Sequence, residues 1–117
     1  METFVNFSNH PSAKWDEKQI KEAKAYGTIV DVPFPAVDPH LDEDGLEHMA
    51  EEYIDKIMEY TPKCVMAQGE FTLCYKVIRG LLTRGVTVVA ACSQRNTVES
   101  GNTKVSVFEF VRFRRYE

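Results

Sequence analysis

Val65-Met66-Ala67-Gln68-Gly69-Glu70-Phe71-Thr72 begins as an apolar run, breaks at Gln-Gly-Glu and continues into a segment with helical apolar spacing. This pattern is typical of a buried strand that passes directly into a helix. In an open α/β sheet, ligands bind just beyond the carboxyl ends of such strands, close to helix N-termini. Apolar runs also end in polar residues at 6–10 and at 93–95. We therefore expect three polar strand ends to form a pocket at one edge of the sheet.

The spacing of apolar residues along the chain predicts five strands and three helices. The predicted strands span residues 3–8, 28–32, 63–68, 86–92 and 104–113. The predicted helices begin after Asp16, near Asp42 and at Phe71, and the third helix ends at Thr83. Residues 96–102 are polar and contain Gly101, which indicates an exposed turn or loop.

This order of elements indicates an α/β fold, namely a single Rossmann-like domain with a mostly parallel five-stranded sheet and helices on both faces. The expected strand order is 2-1-3-4-5. The fifth strand follows the fourth without an intervening helix, so we expect it to run antiparallel at the edge of the sheet. The strand order reverses between strands one and three, which places residues 6–10 beside residues 68–72.

The composition is that of a globular protein. The chain has 117 residues, and we expect one domain, 1–117. A hydrophobic content of 44% with 27% charged residues argues against a disordered chain. The net charge of -4 gives no overall attraction to duplex nucleic acid. Since the sequence shows no secretory leader and no apolar run of about 20 residues, we expect no membrane association and a cytoplasmic location.

The cysteines and the acidic loop residues give no sign of a metal or cofactor. Cys64, Cys74 and Cys92 are odd in number and widely spaced, so we expect buried thiols in a reducing compartment. Asp38 and His40 lie in a proline-rich loop without a recognised metal-ligand spacing. The sequence contains neither the glycine-rich fingerprint of dinucleotide enzymes nor a P-loop nor a nucleophile elbow. We therefore expect no metal and no cofactor.

The end of the third strand supplies the first group of candidate site residues, Gln68, Gly69, Glu70 and Thr72. Gly69 would let a ligand approach the backbone closely. The amides that follow it, with the Thr72 hydroxyl, are suited to hold a phosphate or carboxylate. Glu70 would repel such an anion, but its carboxylate can accept a hydrogen bond from a ribose hydroxyl or a base amine. The alternative is that Glu70 only caps the helix.

The end of the first strand supplies the second group, Asn6, Ser8, Asn9 and His10, with Lys14 close behind. Ser8 and Asn9 carry groups that can donate to a phosphate. His10 can act as an acid, or as a cation when protonated. Local turn chemistry is the alternative for Ser8 and Asn9, because both residue types readily bond their own backbone. Lys14 either supplies positive charge or remains solvated.

The end of the fourth strand supplies the third group, Ser93 and Arg95. A guanidinium just beyond a strand end is well suited to bind phosphate, because its donors match the phosphate oxygens. The alternative for Arg95 is an ordinary surface arginine.

The opening segment Phe4-Val5-Asn6-Phe7-Ser8-Asn9-His10-Pro11 resembles the start of small CRISPR-associated proteins encoded beside type III systems. Some of those proteins begin with a strand that ends in Asn-Phe-Ser-His or a close variant. Their fold is similar to the CARF domain, a Rossmann-like sensor of cyclic oligoadenylates. Several of these families look like ring nucleases, which bind the cyclic messenger as homodimers and linearise it. The resemblance extends over the chain in size and element order, but in detail only over this segment.

The resemblance implies a ligand such as cyclic tetra-adenylate, bound by a homodimer and cleaved without metal in antiviral defence. The 2′-hydroxyl of the ligand would attack the neighbouring phosphate and give a 2′,3′-cyclic phosphate. His10, Ser8 and Glu70 are then the candidate catalytic residues, and Arg95 or Lys14 would face a phosphate.

Two other functions remain open from the sequence. One is a sensor or sponge that binds the cyclic nucleotide without cutting it. The other is a nucleotide- or ribosyl-processing enzyme on the same fold, with Glu70 as its acid, base or nucleophile.

Overall fold

A five-stranded mixed sheet with three α-helices forms the protein, as described by a computed structural model of residues 2–117. The strands are β1 (Thr3–Phe7), β2 (Thr28–Asp31), β3 (Pro62–Ala67), β4 (Thr87–Ser100) and β5 (Thr103–Arg115). The helices are α1 (Glu17–Lys24), α2 (Glu43–Met58) and α3 (Phe71–Thr83), with a 3-10 turn at Ser12–Lys14. The strand order is β2-β1-β3-β4-β5, and only β5 runs antiparallel. The predicted fold class and strand order are therefore confirmed.

The helices cover both faces of the sheet, and each face has its own apolar core. Helices α2 and α3 pack on the face that includes Phe7 and Val65, together with Val88 of β4. Helix α1 packs on the opposite face, where Phe4 and Met66 are fully buried or nearly so. The alternation of side chains along a strand sends successive residues of β1, β3 and β4 to opposite cores. This alternation explains the uninterrupted apolar runs in these strands.

Side-chain caps fix where the helices begin. The Asp16 carboxylate accepts from the Gln19 amide at 2.9 Å, and the Asp42 carboxylate accepts from the Gly45 amide at 2.8 Å. Each cap satisfies one of the amides that the first turn of a helix leaves without an intrahelical partner. The predicted helix starts at Asp16 and near Asp42 are thus confirmed. In the described part of the chain, no helix is both long and apolar enough to cross a membrane.

The prediction of an exposed turn or loop at residues 96–102 is right for its exposure and for the turn at 101–102, but wrong for residues 96–100, which form a strand. Strand β4 continues through this polar segment to Ser100. Every residue from Ser93, opposite Phe110, to Ser100, opposite Thr103, pairs with a residue of β5. Pairing with β5 satisfies the backbone of these residues although their side chains are polar. Gly101 and Asn102 make the tight turn between the strands, and Gly101 has a φ of 62°.

The two strands therefore form a long ribbon beyond the rest of the sheet. We call the ribbon of residues 93–100 and 103–110 the arm. A register shift between Cys92 and Ser93 marks the point where β4 and β5 leave the sheet and enter the arm. Residues 93–95 lie in the arm. The prediction that they follow the end of a strand is therefore wrong.

Candidate functional site

A cavity of about 670 Å³ lies beyond the carboxyl ends of β1 and β3, between the start of α1 and the base of the arm. Its volume is within the range of small-molecule sites. The polar part of its lining comprises Asn9, His10, Lys14, Asp16, Gln19, Gln68 and Ser93. The apolar part comprises Pro11, Trp15, Met66, Ala91, Phe108 and Phe110. The cavity is at the sheet edge that the strand order predicts, and on the α1 face.

The backbone of His10 is held in place by a network of polar contacts. Its carbonyl oxygen accepts from Asn6 Nδ2 at 2.9 Å and from Trp15 Nε1 at 3.0 Å. Its amide donates to Ser8 Oγ at 3.1 Å. The His10 side chain lines the cavity and is exposed to solvent. The loop therefore presents an imidazole at the cavity from a fixed backbone.

Asn6 and Ser8 build this network and do not themselves line the cavity. Both are buried, and the Ser8 hydroxyl donates to Asn6 Oδ1 at 2.6 Å. Asn6 Nδ2 also donates to Asp31 Oδ1 at 3.1 Å. The other oxygen of Asp31 accepts from the amide of Ser12 at 3.2 Å and from its hydroxyl at 3.1 Å. Asn6 and Ser8, which the sequence suggested as ligand and catalytic residues, thus have their polar groups engaged in positioning the loop of His10.

Gln68 closes the floor of the cavity where β3 and β4 separate. Its side-chain oxygen accepts from the Ala91 amide at 2.6 Å. Ala91 lies two positions beyond Val89, the last residue of β4 that pairs with β3. This bond satisfies a half-buried amide that has no strand partner on that side. Gln68 therefore bridges the gap between β3 and β4 and contributes to the lining of the cavity.

Aromatic walls of the cavity are the part that the sequence reasoning missed. Trp15 and Phe108 line it, and Phe108 is 71% exposed on the arm. Asp16 links the two sides, because its second oxygen accepts from the Phe110 amide at 3.2 Å while the first caps α1. A large aromatic side chain that remains exposed beside a pocket is a stacking surface for a flat ligand. Phe108 is visible in the sequence, but the alternation of β5 alone did not show that this side chain lies beside the cavity.

Comparison with known proteins adds a family but no activity. A family model described as "Uncharacterized protein MJ1673 family" matches residues 2–114. The chain belongs to this family. No curated protein matches the chain. The match carries no CRISPR or CARF description, so these aspects of the resemblance remain a proposal.

Gly69, Glu70 and Thr72 do not line the cavity in this member of the MJ1673 family. A Cβ on Gly69 would lie 2.4 Å from the Phe34 ring, so this glycine makes room for an aromatic side chain of the protein itself. The Glu70 carboxylate caps α3, since it accepts from the amides of Thr72 and Leu73 and from the Thr72 hydroxyl. The amides that were expected to hold an anion are therefore already engaged by an anion of the chain. This placement supports the capping alternative for Glu70 and disfavours an enzyme that uses it.

We predict that Glu70→Ala lowers stability by about 1 kcal/mol at pH 7, the scale of a lost helix cap. The hydrogen bond from the Thr72 hydroxyl is the main reason why the pKa of Glu70 lies below its usual value. A lowered folded-state pKa means that the stabilisation is complete above the unfolded pKa of about 4.3 and is lost as pH falls through the folded pKa. Urea unfolding at pH 7 and pH 3 measures this, and the two proteins should differ less at pH 3. An equal difference at both pH values would contradict the role of the charge.

Arg95 lies on the arm and does not line the cavity. It pairs with Phe108, and its Nε donates to Ser106 Oγ at 3.0 Å. Residues directly opposite in an antiparallel pair share a face, so Arg95 lies on the same face of the arm as Phe108 and Ser93. Of the predicted residues, the structure thus brings together Asn9, His10, Lys14, Gln68 and Ser93 around the cavity. Arg95 stands next to it, farther out along the arm.

Two of the three cysteine thiols are poor candidates for a nucleophile. Cys64 and Cys74 are buried, and burial raises their pKa to about 12 and about 11. Thiols with such pKa values stay protonated at neutral pH, and a protonated thiol is a weak nucleophile. Among residues 2–117, no group of three or more His, Cys, Asp or Glu side chains is arranged to hold a metal ion.

Proposed function

We propose that this protein binds a cyclic oligoadenylate, such as cyclic tetra-adenylate, in the cavity beside the arm and linearises it in antiviral CRISPR signalling. The observation that carries the proposal is that aromatic and cationic side chains meet in this cavity. Phe108 and Trp15 offer stacking faces for adenine, while His10 and Lys14 offer positive or proton-donating groups for a phosphate. The resemblance of the opening segment to CRISPR-associated ring nucleases favours the same ligand class.

The proposed cleavage uses groups of the ligand and of the chain, with solvent as the base. The 2′-oxygen of one adenylate bonds to the adjacent phosphorus, and the bond from phosphorus to the 5′-oxygen breaks. Solvent takes the proton of the 2′-hydroxyl, and His10 donates a proton to the leaving 5′-oxygen. Lys14 stabilises the charge that develops on the phosphate. The products are a 2′,3′-cyclic phosphate and a free 5′-hydroxyl at the two ends of the opened ring.

Two copies of the chain fit this ligand better than one. A ring of identical nucleotides has repeated symmetry, and a homodimer with twofold symmetry presents the same groups to it twice.

The test is incubation of the protein with radiolabelled cyclic tetra-adenylate in EDTA. Linear product ending in a 2′,3′-cyclic phosphate is the expected result. Intact ligand retained on the protein would favour a sensor or sponge. One observation favours that second function. His10 is the one imidazole that lines the cavity in the described chain, so the lining offers no second imidazole to act as a base. Absence of both binding and cleavage would reject the proposal in either form.

We predict that Phe108→Ala weakens binding of cyclic tetra-adenylate by about 1–3 kcal/mol, the scale of one lost base–aromatic stack. Phe108 is 71% exposed and makes no contact needed for the core, so the fold should be unaffected. Isothermal titration in EDTA measures the change. Phe108→Trp is the matched control and should keep the affinity of the wild type. Equal affinity in wild type and Phe108→Ala would exclude Phe108 from the ligand site.

A further inference from the structure

Beyond its base at Phe110, the arm is exposed along its whole length. Every residue from 93 to 109 is exposed, on both faces of the ribbon. The radius of gyration is 15.8 Å, where a compact chain of this length has about 13 Å. A two-stranded ribbon that packs against nothing is marginally stable in water. An arm of this length is therefore expected to be covered in the working assembly.

The two faces of the arm differ in polarity. Val98, Val105 and Val107 share one face, and each is about half exposed. Strand alternation along β4 places Val98 on the same side of the sheet as Val88, which is the side covered by α2 and α3. The opposite face carries Thr97 and the cavity residues. We call the face with the three valines the valine face.

A groove on α3 lies on the same side of the sheet. A cavity of about 360 Å³ is lined by α3 residues at helical spacing, namely Phe71, Tyr75, Ile78 and Leu82. Tyr116 also lines it. Phe71 is 89% exposed and Tyr75 is 62% exposed. Contiguous aromatic side chains with this exposure mark an interaction site. We call this surface the α3 groove.

We infer that two copies of the chain dock reciprocally, with the valine face of each arm packed into the α3 groove of the other. The reciprocal contact is isologous, and it closes as a dimer with twofold symmetry. Phe71 and Tyr75 alone would bury on the order of 300 Å² per copy. Adding the valine face brings the area toward the roughly 800 Å² per partner of a stable interface.

Each surface carries one charged side chain without a salt-bridge partner in the described chain, and these two charges have opposite signs. The Glu117 carboxylate, which also lines the α3 groove, is paired with Arg115 at 3.6 Å. Glu109 lies on the valine face, where its carboxylate accepts from Asn96 at 2.7 Å, and Arg79 lies at the α3 groove beside Tyr75. Within residues 2–117, neither Glu109 nor Arg79 forms a salt bridge. Opposite charges next to matching apolar areas favour a second copy as the occupant. The inference stands whether or not the cavity binds an oligoadenylate, because it rests on the exposed surfaces alone.

The test measures the mass of the protein in solution without ligand. Light scattering should find a wild-type dimer at micromolar concentration. Val105→Glu in the arm and Phe71→Lys in the groove should each weaken the dimer by about thirtyfold or more, as hot-spot substitutions do. Both positions are exposed in the single chain, so circular dichroism should show folded proteins. Thr97→Glu is the matched control, since it puts the same charge on the opposite face of the arm and should leave the dimer intact.

Mixing the Val105→Glu and Phe71→Lys variants distinguishes arm-in-groove docking from other dimers. The mixed dimer has one contact with a native arm and a native groove, and its other contact combines opposite charges. We therefore expect the mixture to dimerise although neither variant does so alone. A monomeric wild type, a mixture that stays monomeric, or a Phe71→Lys variant that dimerises like the wild type would each overturn the inference. Loss of the dimer in Thr97→Glu would do the same.

Discussion

Replacing His10 with alanine should slow the linearisation of cyclic tetra-adenylate by about 10²- to 10⁴-fold, the usual contribution of a positioned acid–base group. The dissociation constant should change by no more than a few-fold, because Phe108, Trp15 and Lys14 still line the cavity. The effect is large because His10 is the one imidazole that lines the cavity in the described chain, so no other imidazole takes its place. Single-turnover cleavage in EDTA separates this loss of chemistry from a loss of binding.

His40→Ala is the matched control for this prediction. His40 is an exposed imidazole in the loop after β2, bonded to Asp38 and away from the cavity lining. Its removal should leave both rate and affinity unchanged. Cleavage at the wild-type rate in His10→Ala would remove His10 from the mechanism. Weak binding with an unchanged rate would reassign it to holding a phosphate.

The sheet could be predicted from the sequence because its signals are local. Asp16, Asp42 and the apolar spacing of Phe71–Thr83 each fix an element without help from distant residues. The strand order then follows from general rules for connections between parallel strands. For the same reason the sequence could place a candidate site at the carboxyl edge of β1 and β3, where the structure has a cavity.

The arm could not be predicted because its signals are not local. Residues 96–100 are polar and read as a loop when taken alone, yet each of them pairs with a residue of β5. The alternation of Thr103, Val105 and Val107 was the available cue, and it describes only one of the two strands. Pairing across a turn decides the conformation of such a segment, and strand propensity depends strongly on that context.

The sequence predicted where the cavity lies better than it predicted which side chains line it. Asn6 and Ser8 have the right chemistry for a ligand, but they are buried and bonded to the loop of His10. Gly69 and Glu70 follow β3 as expected, but they face Phe34 and the first turn of α3. A strand end has two sides, and the chain itself fills one of them. Which side stays open depends on the packing of Phe34 and α1, which no short motif reports.

The second large effect is a loss of stability without a loss of affinity, because the core and the cavity lie on opposite sides of the sheet. Leu81→Ala should lower the free energy of unfolding by about 2–5 kcal/mol, the range for a buried leucine whose removal leaves a cavity. Leu81 is fully buried in the core under α2 and α3, which shares no residue with the lining of the ligand cavity. Affinity for cyclic tetra-adenylate, measured well below the melting temperature, should therefore stay at the wild-type value.

Leu41→Ala makes the same chemical change at a leucine that is 42% exposed, so its cost should stay below about 1 kcal/mol. Urea unfolding with an unchanged m-value provides the comparison. A large loss of affinity in a folded Leu81→Ala protein would mean that the α3 core and the cavity are coupled. The site would then depend on the far side of the sheet, and the assignment of binding to the α1 side alone would be wrong. Equal stability of the two variants would instead show that the α3 core yields easily around Leu81.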